Sequence, residues 1–189
     1  MSESDGGELD GTTVGLFLAP RGTEEVEFTE PKEAVEEAGA DVDVLGSETG
    51  EVETVESDLD PAGTHEVERA FSDVSPDEYD ALVVPGGTVG ADELRVDEDA
   101  VELLREHVTE GKPLGVICHG PWTLVEADAA EGRTLTSYPS LQTDVRNAGG
   151  EWVDEEVVVD ENLVTSRKPD DLPAFREAIV ETFAGGTGE

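Results

Sequence analysis

Short apolar runs alternate with longer amphipathic stretches along most of the chain. Val14–Leu18 (VGLFL), Ala81–Val84 (ALVV) and Leu114–Ile117 (LGVI) are continuous apolar runs of strand length, the pattern of strands covered on both faces. Glu24–Ala38 follows the first run as a helical stretch that Gly39 can stop, and Val42–Leu45 then alternates like a strand, which makes a β-α-β unit with parallel strands. Asp99–Val108 carries Val101, Leu104 and Val108 on one helical face, and Gly111-Lys112-Pro113 ends it. Helices are also predicted over Trp122–Ala130, Leu141–Ala148 and Asp171–Phe183, the last with Leu172, Phe175, Ile179 and Phe183 on one stripe. Thr134–Ser137 reads as a short strand, and Glu156–Val159 with Leu163–Ser166 as a hairpin around Asp160-Glu161-Asn162. Residues 46–79 are rich in Ser, Thr, Gly and acids; they read as a connection with a weak strand near Glu51–Val55. The expectation is one α/β domain over residues 12–184, a three-layer sandwich with a mostly parallel central sheet. Residues 1–11 are expected as a disordered acidic tail and 185–189 as a flexible one.

Composition narrows the partners. The 189 residues hold 48 Asp and Glu against 11 Lys and Arg, a formal net charge of −37. Nucleic-acid binding requires a basic face, so that class is excluded. Hydrophobic residues still make up 36% and Gly contributes 21 positions, enough for an ordinary core. The acids are spread along the whole chain, the pattern of a protein working in a salt-rich cytoplasm, where a Debye length of about 3 Å at molar salt removes most self-repulsion. No apolar run has membrane-span length, and the acidic start does not resemble a secretory signal, so a cytoplasmic protein without a membrane surface is expected. One cysteine, Cys118, excludes an intrachain disulfide and a multi-Cys zinc site, and three histidines make a His-built metal site a poor reading.

The chemistry gathers at strand ends. In a parallel sheet the functional crevice lies beyond the carboxyl ends of the strands, where Pro85-Gly86-Gly87 and Cys118-His119-Gly120 are expected to meet. A lone cysteine is most often an inert core residue. Between a buried strand and a helix, however, Cys118 has the setting of a nucleophile elbow, with Gly120 giving the turn freedom and Pro121 opening the helix. Thiolate is the reactive form. The backbone N–H groups of the Gly loop and of His119 are the candidate oxyanion donors. That loop lacks the GxGxxG spacing of a dinucleotide site. The histidines are His65, His107 and His119, none of them downstream of residue 119, which excludes the glutamine-amidotransferase and papain-like catalytic orders. His65 and His107 read as structural. His119 is left as the base, although its side chain is expected to diverge from the adjacent thiol. Among the acids, Glu24, Glu25 and Glu27 after the first strand and Asp92 after the Gly loop stand at the right strand ends.

Four motifs then carry a resemblance: Ala19-Pro20-Arg21-Gly22-Thr23-Glu24-Glu25-Val26-Glu27, Tyr79 through Gly87 (YDALVVPGG), Val116-Ile117-Cys118-His119-Gly120-Pro121, and Thr136-Ser137-Tyr138-Pro139. The chain resembles the ThiJ/PfpI superfamily, nearest the PfpI-type intracellular proteases and protein deglycases, over residues 13–183. The resemblance implies a flavodoxin-like sandwich of the class I glutamine-amidotransferase-like group. It further implies Cys118 as nucleophile, Glu27 as a buried acid at the thiol, and Gly87 and His119 as oxyanion donors. Trp122 and Tyr138 would line the pocket. Asp92 would pair with His119 across a subunit interface, so a homo-oligomer, dimer or hexamer, is expected. No cofactor or metal is implied. The substrate would be a peptide or a small carbonyl adduct such as that of methylglyoxal, with a glyoxalase-like conversion as a near relative. A non-enzymatic stress protein, sensing oxidants through Cys118 or acting as a holdase, is the alternative.

The spread of charge leads to a direct expectation: dialysis from molar KCl to low ionic strength unfolds or dissociates the protein, as followed by circular dichroism. Full stability at low salt would count against the salt-adapted reading.

Overall fold

The computed structural model describes residues 7–185. In chain order the elements are β1 (Thr13–Phe17), α1 (Glu25–Glu37), β2 (Asp41–Gly46), β3 (Gly50–Glu56), β4 (Asp60–Val67), β5 (Arg69–Ala70), β6 (Ala81–Val84), α2 (Thr88–Arg95), α3 (Glu98–Thr109) and β7 (Leu114–Ile117). There follow α4 (Pro121–Glu126), β8 (Thr134–Leu135), α5 (Gln142–Asn147), β9 (Glu151–Trp152), β10 (Val158–Asp160), β11 (Leu163–Ser166) and α6 (Leu172–Ala184). Seven strands form the central sheet in the order β10-β11-β7-β6-β1-β2-β5. Every pairing in it is parallel except β10 with β11.

Alternation along the strands explains the three layers. Leu82 and Val84 of β6 and Leu114 and Val116 of β7 point to one face, where they meet Leu94, Val101 and Leu104 of α2 and α3. Ala81, Val83 and Ile117 point to the other, against Phe28 and Val35 of α1 and the Phe175-Ile179-Phe183 stripe of α6. Strands that bury both sets of side chains read as unbroken apolar runs, as these do. The result is the flavodoxin-like sandwich. Within the sheet β1 lies between β2 and β6, so successive connections leave it in opposite directions. The loops following β1, β6 and β7 open on the same edge at this switch point, the usual place for a site.

Three regions depart from the sequence expectation. Residues 46–79 contain a full antiparallel hairpin, β3 with β4, outside the central sheet. The hairpin is docked by a hydrogen bond from Val55 N to Thr23 O of 2.9 Å. All but two of its positions are exposed or only partly buried, so no apolar period marks it. The expected tail over residues 1–11 is corrected at its second half: Leu9 is 0% exposed, and its N–H donates to Ala38 O at the end of α1 at 2.8 Å. Residues 1–6 and 186–189 lie outside the described set. The third departure is α2, an eight-residue helix directly after the Gly loop that the apolar pattern does not announce.

His107 generates a stability prediction. Its side chain is fully buried on α3, and Nε2 lies 2.8 Å from Pro113 O, an acceptor, so Nε2 carries the proton. Nδ1 has no partner, and a second proton there would be buried without an acceptor. Burial accordingly holds the imidazole down to about 4. Between pH 6.5 and 4 the unfolded chain binds the proton and the folded chain does not, so stability falls as pH falls, by up to about 3 kcal/mol. Urea unfolding across that range should show a flatter acid slope for His107→Gln than for the wild type.

Candidate active site

Cys118 follows β7 with φ of 64°, a left-handed conformation unusual for a residue with a β-carbon. Its N–H donates to Ser166 O at 3.0 Å, and its carbonyl accepts from Tyr138 N at 2.7 Å, which locks the bend from both sides. The bend is therefore made by the cysteine itself. Gly120, expected to supply the freedom, is helical at φ −49°; a β-carbon there would instead stand 2.8 Å from Val116 Cγ1 and 2.9 Å from Ile117 O. Across the crevice, a β-carbon on Gly86 would come within 2.5 Å of Glu27 Oε1 and 2.7 Å of Cys118 Cβ. Only glycine lets the three elements close.

Of the three acids after β1, each has a different task. Glu24 accepts from the backbone N–H groups of Ser57 and Asp58, at 2.6 and 3.0 Å. Glu25 holds His65 Nε2 at 2.9 Å and Thr54 Oγ1 at 3.3 Å, tying the β3–β4 hairpin to α1, so His65 is structural. Glu27 is fully buried, and Gly86 N donates to its Oε1 at 2.9 Å. Oε2 has no nitrogen or oxygen partner, while the Cys118 side chain is a hydrogen-bonding neighbour of the carboxyl. Burial pushes Glu27 up to about 8, so the acid is neutral near pH 7 and has a proton for the sulfur.

Burial also pushes the Cys118 thiol up, as would the charge of Glu27 once ionised; the N–H groups of Gly87 and His119 oppose this by hydrogen bonding the sulfur. The thiol is thus not a free thiolate waiting in solution; it needs a base beside it. That base is in place. His119 Nδ1 lies 3.2 Å from Sγ, so the expectation that the adjacent side chain diverges is corrected: the left-handed φ at Cys118 brings the two side chains to the same side. The imidazole stacks on Tyr138, centroids 4.5 Å apart and 22° between planes. Burial holds His119 below the usual imidazole value, and the Asp58 charge partly offsets this. Cys118, His119, Glu27 and Gly87 all face a cavity of about 520 Å³ whose mouth carries Glu56, Lys168 and Asp170.

The DJ-1/PfpI family model matches residues 13–182. The chain belongs to the DJ-1/PfpI family. It is similar to Deglycase PfpI of Pyrococcus furiosus, 42% identical over 170 residues that cover 88% of this chain and 96% of the relative. Protein/nucleic acid deglycase 2 of Escherichia coli is 44% identical over 158 residues, covering 82% of this chain and 90% of that one. Among solved structures, Drosophila melanogaster DJ-1beta superposes with a TM-score of 0.82 at 32% identity, covering 92% of this chain and 91% of that chain.

The remaining residues singled out on the DJ-1/PfpI resemblance separate clearly. Tyr138 lines the cavity. Trp122 does not; it backs the imidazole edge-on at 5.3 Å, and its Nε1 donates to Asp144 Oδ2 at 2.9 Å, which turns the indole toward α5. Asp92 is exposed on α2 and is not among the hydrogen-bond partners of His119 within the chain. Two residues that pattern reading missed stand behind His119 within the chain, one through the other. Thr88 Oγ1 is 3.3 Å from Nε2, and Asp58 holds Thr88. The signals for them are faint: Ser57-Asp58 in a turn-rich stretch, and a hydroxyl next to the Gly loop.

The Glu27 geometry predicts how the thiol alkylates. Below about pH 8 the neutral carboxyl supports the sulfur anion, so Glu27→Leu should slow iodoacetamide alkylation of Cys118 about tenfold at pH 7, equivalent to about one pKa unit. Glu27→Gln keeps a neutral donor and should retain most of the rate. Above pH 8 the ionised Glu27 of the wild type opposes the thiolate, so its rate should climb less steeply with pH than that of Glu27→Gln. Superimposable curves for all three proteins would make Glu27 a bystander.

Proposed function

We propose that the protein is a cysteine-dependent hydrolase of the PfpI type that attacks carbonyl carbon. The observation that carries this reading is the 3.2 Å approach of His119 Nδ1 to a sulfur that also has Glu27 beside it and an open cavity in front. In the first step the thiol proton passes to Nδ1 while the sulfur bonds to the carbonyl carbon, and the oxygen takes the electron pair of the C=O bond. Gly87 N–H and His119 N–H, which hydrogen bond the sulfur in the resting site, are the donors this reading gives to that oxygen as it forms beside the sulfur. With an acyl substrate, the C–N bond then breaks, the amine leaves with the proton from the imidazolium, and water releases the acid from the thioester.

Peptides and methylglyoxal adducts share that first step. Relatives named deglycases favour the adducts. For a methylglyoxal adduct, addition of one water balances to free amine and lactate. A cavity of about 520 Å³ accommodates a small adduct on a side chain. Glu27 and Cys118 lie at its buried end, 0% and 6% exposed.

The test is a parallel assay in molar KCl of adduct removal and of peptide hydrolysis, with wild type and Cys118→Ser. We expect adduct removal by the wild type and a loss of about 10⁴-fold or more in Cys118→Ser. Unchanged activity in that variant would sink the hydrolase reading, and activity on peptides alone would transfer it to proteolysis.

A further inference from the structure

The β3–β4 hairpin ends in Ser57 and Asp58, both left-handed, at φ 54° and 66°. Positive φ at both positions suits a hairpin turn but costs a residue with a β-carbon some free energy. Glu24 holds this turn by accepting both of its N–H groups. The turn aims the Asp58 carboxylate at the start of α2, where Thr88 N donates to Oδ1 at 2.8 Å and Thr88 Oγ1 donates to Oδ2 at 2.9 Å. A hydroxyl has one proton, and a carboxylate can only accept, so the Thr88 proton is committed to Asp58. What Thr88 Oγ1 presents to His119 Nε2, 3.3 Å away, is a lone pair. Nε2 must then be the protonated nitrogen, and in a neutral imidazole that leaves Nδ1 bare. Nδ1 is the atom that faces the sulfur of Cys118.

We propose that Asp58, through Thr88, sets the tautomer of His119 and thereby makes Nδ1 the base at the thiol. Asp58 and Thr88 are positioning residues: neither lies on the sulfur. Glu24 stands one step further back, holding the turn that holds Asp58. The start of α1 thus serves the site twice, its N-cap Glu24 holding the hairpin tip and its first turn sending Glu27 to the sulfur. The catalytic meaning of the relay rests on the hydrolase reading, whereas the tautomer itself does not.

The experiment reads the imidazole directly. Protein labelled with ¹⁵N-histidine gives long-range ¹H–¹⁵N correlations that distinguish protonated from bare ring nitrogens, and His119 is assigned by the signals lost in His119→Gln. The wild type should show Nε2–H with Nδ1 bare. In Asp58→Asn the Thr88 backbone N–H still claims the side-chain oxygen, so the amide NH₂ takes the place of Oδ2 and donates to Thr88 Oγ1. The Thr88 proton then turns to Nε2, and the tautomer should reverse to Nδ1–H. Iodoacetamide alkylation of Cys118 at neutral pH should fall about tenfold with it. Thr88→Val should lose the wild-type tautomer, and Thr88→Ser, which keeps the hydroxyl, should restore both readouts. A wild type with Nδ1 protonated, or Asp58→Asn and Thr88→Val that keep the wild-type tautomer and alkylation rate, would overturn the proposal. Neither readout uses a substrate, so a protein that turned over no adduct or peptide would refute the hydrolase reading and leave this result standing or falling by itself.

Discussion

The left-handed bend at Cys118 bears on every other feature of the site. A β-carbon at φ 64° is disfavoured by about 1–2 kcal/mol. The bend is kept because backbone hydrogen bonds to Ser166 and from Tyr138 grip the residue on either side. Once it is kept, the sulfur leaves the plane of the sheet and the His119 ring comes round to the same side. The loop after the neighbouring strand β6 must then present a residue without a side chain, because a β-carbon on Gly86 would come too close to Cys118 and Glu27. The carboxyl of Glu27 reaches the thiol over that glycine.

Electrostatics divides the acids into two populations. Most of the 48 carboxylates belong to a solvated surface with a net charge of −37, where salt screens one from another. Glu27 is taken out of water, and a buried carboxyl beside a buried thiol keeps its proton because two adjacent anions in a poor solvent are costly. Glu24, Glu25 and Glu27 are close neighbours in sequence and chemically identical. What separates them is the direction in which the start of α1 points each one: toward the hairpin tip, toward His65, and toward the sulfur.

Much of this protein can be read from pattern, for a definite reason. β1, β6 and β7 are covered on both faces, so they appear as apolar runs, and the amphipathic stripes of α3 and α6 follow from facing the same sheet. The β3–β4 hairpin is illegible for the converse reason: it covers little and is itself covered little, so acids occupy positions where a core strand would carry valine. Leu9 was hidden as a single apolar residue among acids, too few to form a period. Cys118 and Gly87 were legible because the ends of buried strands are few. Asp58 and Thr88 were not, since they stand 30 residues apart and meet only through a turn held by Glu24.

Composition and hydrophobic order by themselves determined the layered α/β architecture, the edge of the sheet where the candidate site lies, and the one thiol in the chain. These depend on local repetition and on residue counts, which a linear chain displays openly. Tertiary structure alone decided which acid is neutral, which nitrogen of His119 faces the sulfur, and where the surface hairpin ends. Those outcomes depend on burial and on directional contacts between segments distant in the chain, and neither quantity exists until the segments have met.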